Sequence, residues 1–235
     1  RFGIATVYYL MAALYLWTIF SLTKLPSTGR SRHKTTSVWS DLRGGLAYLR
    51  LRPSLIALLG LALVRVLLAM SYRTLMPKFA KDELGFGASG LGLIMAAPAI
   101  GSLVSSLIVA SLKDFRGKGK LLLGAGVAMG ISLILFASGR NLFQILISLG
   151  IVGAAGNMCM VANQTLLQVN CEDQFRGRVM SIYMMMWGLT PLGTIPAGAL
   201  ADRLGVPPVI GLQGGLLTMT FMAILLFGPR VRKLE

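Results

Sequence analysis

Residues 87–120 read GASGLGLIMAAPAIGSLVSSLIVASLKDFRGKGK. An apolar, glycine-rich run of about 23 residues, 90–112, is followed at once by a basic turn. At 1.5 Å per residue the run is long enough to cross a hydrocarbon layer of about 30 Å. The turn carries Lys113, Arg116, Lys118 and Lys120 beside one carboxylate, Asp114. A segment that leaves a bilayer with this much Lys and Arg is expected on the cytoplasmic side. Fixing that end assigns a direction to every other span.

Composition points the same way. Only 13% of the residues are charged and 55% are hydrophobic, whereas a soluble domain carries about 25% charge. The expected class is an all-α, polytopic membrane bundle. Glycines lie inside the apolar runs, where they let membrane helices approach closely. No segment alternates as the strands of a barrel do. The net charge of +15 does not mark a nucleic-acid partner. The cations sit at the ends of apolar runs and are not interleaved with exposed aromatics. Cys159, Cys171 and the single histidine, His33, have no spacing that suits a metal, so no metal or cofactor is expected. The chain opens R-F-G-I-A without Met, and its first apolar run is too long for a signal-peptide core. It reads as a fragment whose beginning is missing.

Seven spans are expected, at 2–22, 54–76, 90–112, 121–138, 142–167, 179–200 and 209–228. Residues 23–36 form a polar linker. Residues 37–52 follow a helical pattern, with Val38, Trp39, Leu42, Leu46 and Leu49 on one stripe. That is an amphipathic helix for the cytoplasmic membrane surface or for the ends of other helices. Pro77 opens an outer loop, 77–89. Pro191 and Pro196 should bend the sixth span. In this topology sixteen of the 23 Lys and Arg residues fall on the inner side and five on the outer. The domain plan is 1–22 as a helix belonging to a missing half, 23–52 as linker, and 53–235 as a six-helix unit. Small residues recur every fourth position in the third span, as Ala97, Gly101 and Ser105 and as Ser102, Ser106 and Ala110. Gly126 and Gly130 repeat the step in the fourth span. These rows suit close helix packing.

Ionisable groups inside a bilayer are costly and are candidates for function. Arg65 stands near the middle of the second span, on a face shared with Ala62, Ala69 and Tyr72. It either anchors an anionic or polar substrate, or packs structurally. Arg73 is close enough to the interface to snorkel. Gly150, Gly153, Asn157, Met160, Gln164 and Gln168 share a stripe of the fifth span. They either line a path or make interhelical hydrogen bonds. Asn163 points away from that stripe and is expected to be structural. No Asp or Glu lies deep in a span. A proton-coupled cycle would therefore take its titrating group from outside this sequence.

These residues resemble the C-terminal half of a major facilitator superfamily transporter, with the first span as the last helix of the N-terminal half. The stretches that carry the likeness are DLRGGLAYLRLRP at 41–53, LMPKFAKDELG from Leu75, GASGLGLIMAAPAIGS from Gly87, NQTLLQV from Asn163 and RGRVMSIY from Arg176. They are most similar to the branch of drug and siderophore exporters, the macrolide-efflux and enterobactin-exporter-like proteins. The family's loop, G-x-L-a-D-R-x-G-R-K, is matched by Leu112, Asp114, Gly117 and Lys118. Ala110 and Phe115 depart from it. The likeness implies an inner-gate charge relay at Asp114, Arg116, Gly117 and Lys118. A second match, GALADRLG from Gly198, falls on the outer side and reads as a helix end with Asp202 and Arg203 paired locally.

The resemblance further implies alternating access around a midplane site, with the second and fifth spans facing the cavity. Arg65, Tyr72, Asn157, Met160 and Gln164 are then candidates for the substrate path. It implies no enzymatic activity and an inner or plasma membrane location. The expected partners are the lipid bilayer, a hydrophobic or amphipathic small-molecule substrate, and the missing N-terminal half. The alternatives are a lysophospholipid flippase of the same fold and a non-transporting membrane protein for assembly or sensing.

Overall fold

The computed structural model describes residues 4–24, 38–82, 84–85, 88–111 and 117–234. Among the described residues the regular structure is helical throughout, with no strand. The chain divides into two compact units, 1–37 and 38–235.

The first unit holds α1, Ile4–Thr23, about 30 Å long at the helical rise. Three of its polar side chains bond within the helix, which suits a helix in lipid. The hydroxyls of Thr18, Ser21 and Thr23 donate to the carbonyls of Leu14, Trp17 and Phe20. His33 lies outside the described residues.

The second unit comprises α2 (Val38–Arg50), α3 (Pro53–Ala69), α4 (Ser71–Asp82), α5 (Ala88–Ser111), α6 (Lys118–Ala137), α7 (Leu142–Val169), α8 (Asp173–Met185), a 3₁₀ turn (Met186–Leu189), α9 (Thr190–Leu204), α10 (Val206–Phe227) and α11 (Pro229–Arg232). Among the described residues five segments are long and apolar enough to cross a membrane. They are Pro53–Asp82, which joins α3 and α4, then Gly90–Ser111, Lys118–Ala137, Leu142–Val169 and Val206–Phe227.

Two boundaries differ from the sequence reading. The helix does not stop at Pro77; it runs to Asp82. Pro77 lacks only the N–H that would bond back to Arg73, on an exposed side of the helix. The buried stripe of Leu75, Met76, Phe79 and Ala80 carries the helix onward. The sixth span, in turn, is broken rather than bent. The turn at Met186–Leu189 lies just before Pro191. Pro191 has no N–H for the Trp187 carbonyl four residues earlier. The Thr190 hydroxyl takes that carbonyl instead, at 2.6 Å. Pro196 stays inside an unbroken α9.

α6 packs between α7 and α10, and α7 packs between α6 and α5. Small residues set these distances. A Cβ on Gly101 would strike the Gly150 carbonyl, and one on Gly153 would strike the backbone of Pro98. Ala97, Gly101 and Ser105, the expected packing row, are all buried. On the other side of α6, a Cβ on Gly126 would meet the Phe221 ring.

Polar contacts gather at two ends of the unit. At one end Arg52 pairs with Glu172 at 2.5 Å, Tyr48 stacks on Phe175 with centroids 4.2 Å apart, and the Glu172 N–H donates to the Tyr48 hydroxyl. These contacts seat α2 on the start of α8. Gly45, Tyr48 and Leu49 are buried, while Leu46 of the expected stripe is exposed. The side chains of Val38, Trp39 and Leu42 lie outside the described residues. Beside this cluster, burial pushes the Cys171 thiol above its ordinary range, and the Tyr48 hydroxyl works against that. The Gly119 N–H donates to the Leu234 carbonyl at 3.1 Å, which ties the start of α6 to the tail. At the far end of α4 and α9, Lys78 pairs with Asp202 at 2.5 Å. Asp202 thus takes a partner on another helix rather than its neighbour Arg203.

Candidate functional site

The candidate residues fall into two groups on different interfaces. The first centres on Arg65 of α3. Leu61, Ala62, Val66 and Ala69 bury this face of the helix, and they carry the guanidinium in with them to 3% exposure. Its plane lies over the Trp187 ring, with 5.6 Å from guanidinium carbon to centroid. Trp187 belongs to the 3₁₀ turn, one helical step beyond Tyr183 of α8. Arg65 and Gln164 lie within interacting reach of the Tyr183 hydroxyl, but neither makes a hydrogen bond of full geometry to it. Arg65 Nε likewise has no partner. Among the described residues, no carboxylate pairs with Arg65. The approach of the helices is close here as well. A Cβ on Gly193 of α9 would strike the Leu67 carbonyl of α3.

The second group joins α4, α5 and α7. Tyr72, Arg73 and Met76 of α4 and Met95, Pro98, Ala99 and Ser102 of α5 line a cleft of about 270 Å³. Tyr72 is buried, and its hydroxyl accepts from Arg73 Nε at 3.4 Å. Behind the cleft, Asn157 Nδ2 donates to Ser105 Oγ and Ser106 Oγ, each at 3.0 Å, and to the Ser102 carbonyl at 3.4 Å. The serine hydroxyls donate within α5 to the carbonyls of Ala99 and Ser102, which leaves their lone pairs free for Asn157. Arg65 and Gln164 are therefore brought together, Tyr72 and Asn157 flank the cleft, and Met160 lies half-buried on α7. Asn163 is buried, with its amide donating to the Leu58 carbonyl at 3.0 Å.

Of the gate candidates, Asp114 and Arg116 lie outside the described residues. Gly117 precedes α6 with φ of 99°, a left-handed conformation that favours glycine. Lys118 opens the helix and is half-buried.

Trp187 and Tyr183 are the residues that sequence reasoning does not single out. A signal is present: two aromatics four apart, just before a proline, on one face of an apolar segment.

The sequence profile of the Major Facilitator Superfamily matches residues 61–235. The chain belongs to the major facilitator superfamily. Among curated proteins, this superfamily chain is similar to the staphyloferrin A transporter of Staphylococcus aureus, at 25% identity over 94% of this chain and 54% of that protein. It is also similar to the multidrug resistance protein MdtG of Escherichia fergusonii, at 28% over 62% of this chain and 37% of that protein. MdtG of Enterobacter lignolyticus matches at 27% over 58% and 32%. The chain thus spans about half, or less, of the length of these relatives. Membership makes it a multi-pass membrane protein, in keeping with the five apolar spans among the described residues.

Proposed function

We propose that this chain forms the C-terminal half of a secondary transporter that moves an amphipathic small molecule outward by alternating access. The carrying observation is Arg65, a buried cation with no carboxylate partner among the described residues. Such a charge is expensive in a bilayer and marks a substrate pathway by default. Family membership and the names of the relatives, a siderophore transporter and multidrug resistance proteins, support the class. Arg65 supplies charge and Trp187 an aromatic wall. The cleft between α4 and α5 adds Met76, Met95 and Pro98 as apolar surface, with Arg73 at hand. Apolar lining with a few placed polar groups is how small-molecule sites are built.

In this reading the α2 end, with its basic segments, faces the cytoplasm of an inner-membrane protein, following the positive-inside bias. Gly117 and Lys118, at the start of α6, lie on that side. The other half of the cavity comes from sequence preceding this chain, and the two halves rock about the midplane. The test is Arg65→Ala in the full-length protein. Export of an amphipathic dye should fall at least about tenfold, equivalent to about 1.4 kcal/mol, at unchanged membrane abundance. Unchanged export would take Arg65 off the pathway.

A further inference from the structure

The junction of α3, α7 and the 3₁₀ turn holds two buried donors without a hydrogen bond of full geometry. Arg65 Nε is one and the Tyr183 hydroxyl is the other. Tyr183 is 1% exposed and Arg65 3%. Leaving one donor buried and unbonded is costly, and more so when it is charged. Two of them beside each other, ringed by Gln164 and Cys159, form a site that lacks its acceptor. Water would satisfy the donors but leave the charge uncompensated. A carboxylate does both, with oxygens available to the guanidinium and to the phenol.

The chain has no carboxylate to offer deep within its spans. Its acidic residues are Asp41, Asp82, Glu83, Asp114, Glu172, Asp173, Asp202 and Glu235, and of these only Asp82, the last residue of Pro53–Asp82, belongs to an apolar span. Trp187 completes the arrangement. Its ring covers the guanidinium, yet it is 36% exposed, so one face is committed to Arg65 while part of the ring stays open to a flat apolar group. It also stands on the one helical interruption within Asp173–Leu204, where the backbone is held by Thr190 in place of the usual ladder bond.

We propose that Arg65, Tyr183 and Trp187 form a recognition site for the carboxylate of an amphipathic aryl acid, with the acid on the two unpaired donors and the ring against Trp187. This names the substrate class of the transport site and rests on the transporter reading for its use. Binding can be measured without transport. The full-length protein in detergent is titrated with para-butylbenzoate and with its neutral isostere para-butylbenzamide, while tryptophan emission is followed. Benzoate should change the emission saturably, Trp187→Phe should abolish the change, and benzamide should bind at least about tenfold more weakly.

Tyr183→Phe keeps the ring and removes one donor. It should weaken benzoate about tenfold and leave benzamide as it was. Arg65→Gln should erase the preference for the acid. Should that variant fail to fold, Tyr183→Phe carries the test alone. Equal affinities for acid and amide overturn the proposal, as does an unchanged benzoate affinity in Tyr183→Phe. So does the absence of any response, the result expected if another segment of the full-length protein already supplies the carboxylate. The two readings fail separately. Loss of export in Arg65→Ala without benzoate binding leaves the transporter standing and removes the aryl-acid site. Benzoate binding without export does the reverse.

Discussion

The α5–α7 interface and the junction of α3 with the 3₁₀ turn both bury polar side chains, and they treat them in opposite ways. Between α5 and α7 the Asn157 amide nitrogen and the serine hydroxyls of α5 all find partners. Asn157 donates to three oxygens on one helix turn of α5, and the backbones close to distances that exclude a Cβ at Gly101 and Gly153. At the junction, a guanidinium and a phenol are packed more deeply than the half-buried Asn157 and lack full hydrogen bonds. A saturated polar network specifies packing. An unsatisfied one in the same bundle keeps capacity for something that arrives from outside. Burial alone therefore does not separate scaffold from site; the count of unmet donors does.

The contrast can be broken in several places. Gly153→Val gives the largest effect, because its side chain meets the Pro98 backbone rather than a movable side chain. The loss should exceed about 3 kcal/mol, seen as loss of the monodisperse peak in size-exclusion chromatography. Asn157→Leu should lower stability by about 1 kcal/mol in thermal unfolding while export persists. If export vanishes and stability holds, Asn157 belongs to the path and the contrast fails. Tyr183→Phe removes a hydroxyl without a full hydrogen bond, so stability in thermal unfolding should hold or rise slightly, by up to about 1 kcal/mol. A clear drop would mean that the hydroxyl is already satisfied. The smallest effect belongs to the exposed Lys78–Asp202 pair. A double-mutant cycle there should give a coupling below about 1 kcal/mol, weakening further with salt.

Much of this is legible in the order of residues alone. The packing row Ala97, Gly101 and Ser105 can be read because small residues at a four-residue step make a groove wherever the helix lies. Arg65 can be read because a charge in an apolar run is conspicuous. Membership in the superfamily, suggested by short motifs, agrees with the profile match. Trp187 and Tyr183 are not legible. Their importance comes from lying against a residue more than a hundred positions earlier, and one-dimensional periodicity carries no such information. The end of α4 escapes the sequence reading because Pro77 outweighs the buried step of Leu75, Met76 and Phe79. Proline in lipid costs a helix less than its reputation in water suggests. The partner of Asp202 is hidden for the same reason as Trp187: Lys78 reaches it across the fold, not along the chain.

The close approach of Gly101 and Gly153 to the backbones they face has a mechanical corollary. Two rods pressed main chain to main chain have no side-chain cushion on which to slide or roll. In the proposed transport cycle α5 and α7 would therefore travel as one lever. Relative motion is left to places such as Met186–Leu189, where the helical ladder is already interrupted.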